Sequence, residues 1–263
     1  MKTRTLLIIL LVALIALPCF ARRRNREVRC MARMQSGMEA FERGRWSRAV
    51  NNLSIVRDQC LGEFDRPDSV YFFLGLAYFH GNKPEQARLE FRTIIEDFPH
   101  SEFIERTYFY IALSSFNAAP IIQRDPRLLR RAQREFSAFV AAYPTGEFTD
   151  TARILLDTIS NKLIERELMI AEFYEIIRRF ESAVIYYQMI LQEFPNSNRI
   201  PEINKRLARN LVAANRFAEA LVIIEALESA ELFKSETETL RRRINQRAID
   251  DERDAGRRRN RGG

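Results

Sequence analysis

Residues 68–101 read DSVYFFLGLAYFHGNKPEQARLEFRTIIEDFPHS, and this stretch decides the fold. Two small residues, Gly75 and Ala87, lie on separate apolar segments, and large apolar residues surround them: Tyr71, Leu74, Tyr78 and Phe91. Pro99 ends the second segment because proline cannot continue a helix. The stretch therefore predicts two antiparallel helices that approach closely where the small residues meet.

The same pattern recurs along the chain, with the spacing of the tetratricopeptide repeat of about 34 residues. One pair with Gly37 and Ala49 precedes it, and three pairs follow, with the small residues Ala112 and Ala132, Ala171 and Ala183, and Ala208 and Ala220. The third pair has an enlarged turn within residues 117–128. Residues 149–177 contain no Gly or Pro and are interpreted as one long helix, or as two joined end to end. The sequence predicts an all-α solenoid of about five helix pairs, with a long helix between the third and fourth.

The chain divides into five segments by composition. Lys2 and Arg4 precede an apolar run over residues 6–17, which favours a secretory signal in residues 1–21, with an uncleaved anchor as the alternative. A basic segment (22–29), the repeat domain (30–231), a terminal helix (232–249) and a basic disordered tail (250–263) follow. Cys19 stands after Pro18. Its acylation as a lipoprotein and ordinary cleavage after Ala21 are both open.

Charge and composition exclude several classes of function. The net charge is +7, only five of the 42 basic residues are lysine, and the positive excess lies at the two ends, outside the repeats. This distribution argues against nucleic acid as a partner and favours an anionic membrane surface for the terminal Arg run. The chain has no clustered Cys and His, no Gly-rich phosphate loop and no catalytic constellation. We expect no metal, no cofactor and no enzymatic activity.

Cys30 and Cys60 bracket the first predicted helix pair. The start of one helix and the end of its antiparallel partner lie side by side, so a disulfide is geometrically reasonable, and export permits one. Two buried free thiols are the alternative.

A second apolar stripe follows the first three pairs, at the positions that line the concave surface of this repeat. All nine residues are large and apolar: Met34, Met38, Phe41, Phe72, Leu76, Phe79, Phe109, Leu113 and Phe116. They predict a substrate groove, because large exposed apolar patches mark binding sites. The alternative is that they pack against neighbouring repeats. In the last two pairs the corresponding positions include Glu172, Glu175, Lys205 and Arg209.

The repeat region resembles the BamD (ComL) family of outer-membrane protein assembly lipoproteins. The resemblance covers residues 30–228 and rests on the enlarged third turn and on the long helix after it. The residues that carry it are Asp125-Pro126, Ala132, Phe136, Tyr143-Pro144, Arg153, Leu155, Leu163, Glu167, Ala171, Tyr174, the run Ala183-Val184-Ile185-Tyr186-Tyr187 and Phe194-Pro195-Asn196-Ser197.

The resemblance implies a function at the periplasmic face of the outer membrane. It implies docking to a BamA-like β-barrel protein through its POTRA domains, association with other subunits of the assembly complex, and delivery of unfolded outer-membrane proteins. Glu172, Glu175, Lys205 and Arg209 are then the expected partner-binding residues, and the apolar stripe the expected substrate groove. A different periplasmic interaction protein, coordinating cell-envelope or peptidoglycan synthesis, is the alternative.

Overall fold

The computed structural model describes residues 24–119 and 125–261, with side chains described through residue 253. The predicted signal segment and Cys19 lie outside the described residues. The described residues form helices and no strand, which confirms the predicted all-α tetratricopeptide fold. The helices are α1 (24–42), α2 (Trp46–Gln59), α3 (Pro67–His80), α4 (Pro84–Asp97), α5 (Ile104–Asn117), α6 (Arg127–Ala142), α7 (Thr149–Ile176), α8 (Phe180–Glu193), α9 (Ile200–Ala213), α10 (Phe217–Ser229) and α11 (Lys234–Arg261).

These helices belong to two compact units that divide between Leu156 and Asp157. The first unit holds α1 to α6 and the start of α7, and the second holds the rest of α7 and α8 to α11. Of the two interpretations of residues 149–177, the structure has one continuous helix, α7. The terminal helix α11 continues past residue 249, so the predicted disorder of the tail is wrong for residues 250–261. Proline, the residue least compatible with a helix interior, is absent from this stretch.

Small residues set the distance between paired helices, as the sequence predicts. A Cβ atom on Gly75 would lie 2.6 Å from the Phe91 ring, and one on Gly37 would lie 2.8 Å from the Leu53 side chain. The small residue on the second helix of each pair is completely buried: Ala49, Ala87, Ala132, Ala183 and Ala220.

The turns inside the pairs share one backbone design. In each turn a backbone N–H donates a hydrogen bond to the carbonyl oxygen five residues earlier. These bonds run from Arg45 to Ala40 (2.8 Å), from Lys83 to Tyr78 (2.9 Å), from Arg179 to Tyr174 (2.8 Å) and from Arg216 to Leu211 (2.8 Å). One residue of each turn has a positive φ: Gly44, Asn82, Arg178 and Asn215. This is the Schellman motif that ends many helices. The enlarged turn of the third pair includes residues 120–124, which lie outside the described residues.

Arginine–carboxylate pairs connect successive helix pairs and explain the preference for arginine over lysine. Arg57 binds Glu90, Arg66 binds Glu102 at 2.6 Å, and Arg88 binds Glu135 at 2.9 Å in the first unit. Glu172 with Arg206, Glu175 with Arg209 and Glu181 with Arg216 do the same in the second. The planar guanidinium donates to several acceptors at once, which a lysine ammonium does with less directional specificity.

The first pair is also joined covalently. Cys30 and Cys60 form a disulfide with a Cα–Cα distance of 5.6 Å, and both side chains are buried. Of the two alternatives open from the sequence, the structure has the bridge. Val56 and Val70 pack around it, so the disulfide is the centre of a small apolar cluster.

Candidate functional site

The nine apolar residues of the predicted groove fall into two groups in the first unit. Phe72, Leu76 and Phe109 are buried, with at most 8% of their surface exposed. The other six are half-buried: Met34, Met38, Phe41, Phe79, Leu113 and Phe116. The packing alternative therefore describes the first three, and this corrects their assignment to an open groove.

Two loop aromatics explain why Phe72 and Phe109 are buried. The Phe103 ring stacks on Phe72 with a centroid distance of 4.4 Å, and the Phe148 ring stacks on Phe109 at 4.6 Å. Phe103 and Phe148 each stand four residues after a proline that ends a helix pair, Pro99 or Pro144. Each therefore covers the first helix of the pair before it. The repeated Pro-x-x-x-Phe spacing was the available sequence signal.

A smaller apolar surface remains, which we call the apolar rim: Met38, Phe41, Phe79, Leu113 and Phe116. Phe41 packs edge-on against Trp46 at 5.4 Å, and Phe79 packs edge-on against Tyr110 at 5.5 Å. Their contacts fix these two rings while leaving part of each exposed. Met34 is left out because it packs against the disulfide cluster, whereas Phe41 and Phe79 pack against the core of the second pair. The rim combines rigid rings with an adaptable methionine, which suits varied apolar ligands.

In the second unit, the predicted partner-binding acids already have partners within the chain. Glu172 accepts a hydrogen bond from Arg206. One Glu175 oxygen accepts from Tyr187 Oη at 2.7 Å, and the other accepts from Arg209 Nη2 at 2.7 Å. Burial, with the hydrogen bond and charge of Glu175, raises the pKa of Tyr187 well above its ordinary value. These acids therefore hold α7 against α8 and α9.

The predicted basic residues line a cleft between α9 and α11 of about 310 Å³. Its charged side chains are Lys205, Arg206, Arg209, Arg243 and Glu236, and its hydroxyl groups come from Ser235 and Thr239. Lys205 lies over the Phe233 ring at 4.2 Å and pairs with Glu202 at 2.8 Å. Arg243 is exposed, and in the described part of the chain it makes no ion pair. The cleft thus offers cations and the Ser235 hydroxyl to an acidic partner, while the Thr239 hydroxyl already donates to the Ser235 carbonyl at 2.8 Å.

An exposed apolar stripe on α7 and the turn after it was missed in the sequence. Its members are Met169, Phe173, Ile176 and Ile177, and Ile176 has 79% of its surface exposed. The spacing of three and four residues puts them on one face of the helix. The signal was present, but this face directly adjoins the apolar residues that pack inward, and periodicity alone did not separate the two.

The described residues show no group of three or more metal-binding side chains. Over the same residues, no helix is both long and apolar enough to cross a membrane.

Known proteins resemble this chain in sequence and in fold. The family model described as YfiO, outer membrane lipoprotein, matches residues 27–226. The outer membrane protein assembly factor BamD of Caulobacter vibrioides is 21% identical over 173 residues, covering 65% of this chain and 56% of the relative. The chain thus spans little more than half the length of that relative.

Solved structures give weaker similarities. The structure of MamA AMB-1 is 18% identical, with 78% of this chain and 92% of that chain covered and a TM-score of 0.36. TTC0263, a thermophilic tetratricopeptide-repeat protein of Thermus thermophilus, is 16% identical, with 82% and 98% covered and a TM-score of 0.35.

Proposed function

This chain belongs to the YfiO family of outer-membrane lipoproteins, and from that premise we propose that it is a non-enzymatic scaffold in the assembly of outer-membrane β-barrel proteins. The observation that carries the proposal is the family match over residues 27–226, joined by a relative that is named as an outer membrane protein assembly factor. The work of such a scaffold is to hold a barrel subunit and a client protein together at the periplasmic face.

The second unit is the proposed docking surface for a BamA-like barrel protein with POTRA domains. The cleft between α9 and α11 supports this, since Arg209 and Arg243 are exposed at it. Acidic side chains of the partner would complete their hydrogen bonds. Glu172 and Glu175 contribute indirectly, because their pairs with Arg206 and Arg209 orient α9.

Removal of charge from the cleft tests this docking. The variant Arg209→Gln/Arg243→Gln is compared with Arg242→Gln/Arg247→Gln, which removes the same charge from α11 outside the cleft. Each tagged chain is cross-linked in cells, extracted in mild detergent and identified with its partners by mass spectrometry. We expect a β-barrel protein with POTRA domains with the wild type and the control, and much less with the cleft variant. Peptidoglycan-synthesis enzymes in its place, with no barrel protein, would favour the envelope-coordination alternative.

The apolar rim is the proposed contact for unfolded client segments. An extended strand that ends in an aromatic residue would bury apolar surface against Phe79 and Phe116, at about 25 cal/mol per Å² before ordering costs. The test is fluorescence anisotropy of a labelled peptide from the last strand of a barrel protein. We expect Phe116→Asp to weaken binding at least tenfold, by about 1.4 kcal/mol or more. The control Leu89→Asp changes an exposed leucine on α4, and equal binding by the two variants would remove the rim from the proposal.

A further inference from the structure

The end of the first helix pair that holds the disulfide carries an unusual concentration of arginine. Arg26, Arg29 and Arg33 lie on α1 at spacings of three and four residues, so they share one side of the helix. Together with Asp58 at the end of α2 they line a cleft of about 550 Å³. All three arginines are exposed, so a ligand can reach them.

Neutral acceptors position the guanidinium groups of Arg26 and Arg33. Arg26 Nη2 donates to the Gln59 carbonyl at 2.6 Å, and Arg33 Nη1 donates to Asn52 Oδ1 at 3.0 Å. The Asn52 side chain is buried, which fixes the second contact. A guanidinium has five N–H donors, so most donors of both groups remain available.

Carboxylates compensate little of this charge. Arg26 Nε lies 3.4 Å from Glu63, and Asp58, the carboxylate that lines the cleft, pairs with Arg57 at 2.8 Å. Arg29 donates to the Asn25 carbonyl of its own helix, at 3.1 Å. In the described residues neither Arg29 nor Arg33 makes an ion pair. Elsewhere in the first unit, buried or bridging arginines such as Arg57 and Arg88 meet a carboxylate directly.

The disulfide makes this arrangement rigid. Cys30 lies between Arg26 and Arg33 on the same face of α1, and its bond to Cys60 joins that face to the end of α2. A cross-link at this point keeps the arginines at a fixed distance from Gln59 and Asn52. The cleft is therefore organised before a ligand arrives, which lowers the cost of binding.

We infer that this cleft is a binding site for a phosphate group. The ligand is a phosphate mono- or diester held by Arg29 and Arg33, with Arg26 as a third donor, because guanidinium groups bind phosphate oxygens with paired hydrogen bonds. A lipid headgroup and a soluble phosphate share this chemistry. The site goes beyond the proposed docking of barrel and client proteins.

The test compares two double variants of the secreted chain, in a Cys19→Ser background that cannot be acylated. Arg29→Gln/Arg33→Gln removes the two unpaired charges of the cleft. Arg43→Gln/Arg48→Gln removes two exposed charges at the other end of the same helix pair and is the matched control. Circular dichroism and the mass of the intact disulfide establish that each variant is folded.

Binding is measured to mixed vesicles of phosphatidylglycerol and phosphatidylcholine, and separately to inorganic phosphate by calorimetry. We expect the cleft variant to lose about thirtyfold in vesicle affinity, since each basic residue near an anionic surface contributes roughly a factor of five. The control should lose much less. Vesicle binding that the cleft variant loses, with no calorimetric binding of inorganic phosphate, identifies a headgroup, and phosphate binding that the cleft variant loses identifies a soluble ligand. Equal losses in both variants, or no loss in the cleft variant, overturn the site.

Discussion

Arg88 on α4 and Glu135 on α6 form a bidentate ion pair, with Nη1 3.0 Å from Oε2 and Nη2 2.9 Å from Oε1. Arg88 Nη1 also donates to the Ile111 carbonyl at 3.0 Å and to Ser115. The arginine side chain is 8% exposed, so one guanidinium joins three helices in a largely dry environment. Removal of Glu135 leaves a buried charge without compensation, and removal of Arg88 leaves the partly buried Glu135 carboxylate, the Ile111 carbonyl and Ser115 without their donor.

Arg88→Met should therefore lower the free energy of unfolding of the first unit by about 3 kcal/mol. Urea unfolding monitored by circular dichroism measures this. The control is Arg106→Met, which removes a pair with Glu147 whose side chains are about half exposed. That change should cost about 0.5 kcal/mol. A cost for Arg88→Met no larger than the control's would contradict the structural importance of the buried pair.

Gly75→Ala should destabilise the second helix pair by about 1 kcal/mol or more, although alanine is the better helix former. The added methyl group would lie 2.6 Å from the Phe91 ring, and Phe91 is fully buried, so the ring cannot move without disturbing its neighbours. The matched change is Gly62→Ala, where no atom lies within 4 Å of the added carbon. Thermal unfolding of both proteins measures the difference, and similar melting temperatures would show that the close approach is unimportant.

Arg178→Gly should stabilise the fourth helix pair by about 1 kcal/mol. Arg178 has φ 58°, a conformation that costs a residue with a Cβ atom about 1–2 kcal/mol. The neighbouring change Arg179→Gly serves as control because Arg179 has φ −91° and gains nothing from glycine. In chemical unfolding, the free energy of unfolding of Arg178→Gly should be higher than that of the wild type. That of Arg179→Gly should be equal to the wild-type value or lower. The opposite order would mean that side-chain contacts of Arg178 outweigh its backbone strain.

The disulfide should contribute about 3–4 kcal/mol to the stability of the first unit, because it closes a loop with a sequence separation of 30 residues. Unfolding with and without a reductant measures this contribution. Cys30→Ser/Cys60→Ser should resemble the reduced wild type and should not respond to the reductant. A response in the double variant would assign the effect to something other than this bond.

Asp68 should make the first unit sensitive to acid. Burial raises the pKa of Asp68, but hydrogen bonds from Ser101 at 2.7 Å and Arg66 at 3.0 Å outweigh it and hold the pKa below its ordinary 3.8. Since the folded pKa is the lower one, the ionised carboxylate stabilises the fold above pH 3.8, and this contribution is lost as the pH falls through the folded pKa.

The variant Asp68→Asn should accordingly be less stable than the wild type at neutral pH, with a difference that shrinks as the pH is lowered past 3.8. Urea unfolding at a series of pH values measures it. Asp65→Asn, at an exposed position nearby, is the control. A difference that stays constant with pH would exclude the carboxylate charge as its cause.

The sequence predicted the features that depend on neighbours within one repeat. Gly75 and Ala87 mark the close approach of α3 and α4, and the proline positions mark where pairs end. It failed where a partner comes from outside the repeat. Phe72 was assigned to a groove from its position within its own repeat, whereas Phe103 from the next loop stacks on its ring.

The charged residues of the second unit were also interpreted without their partners from other helices. Glu175 and Arg209 were correctly identified as charged positions, but their contact with each other depends on the packing of helices 34 residues apart. Sequence patterns report which face of a helix carries charge. They do not report whether two such faces meet, so the acids were assigned to a partner protein although the chain itself supplies their partners.

The covalent bond at Cys30 also decides where the first unit can begin to fray. In a stack of helix pairs each member is supported only by its neighbours, so a terminal pair has one neighbour and opens most easily. The bond to Cys60 closes the first pair where its two chain ends meet. Local opening there would have to carry α1 and α2 away together, and solvent exchange of their amides should be slow for an end of a repeat array.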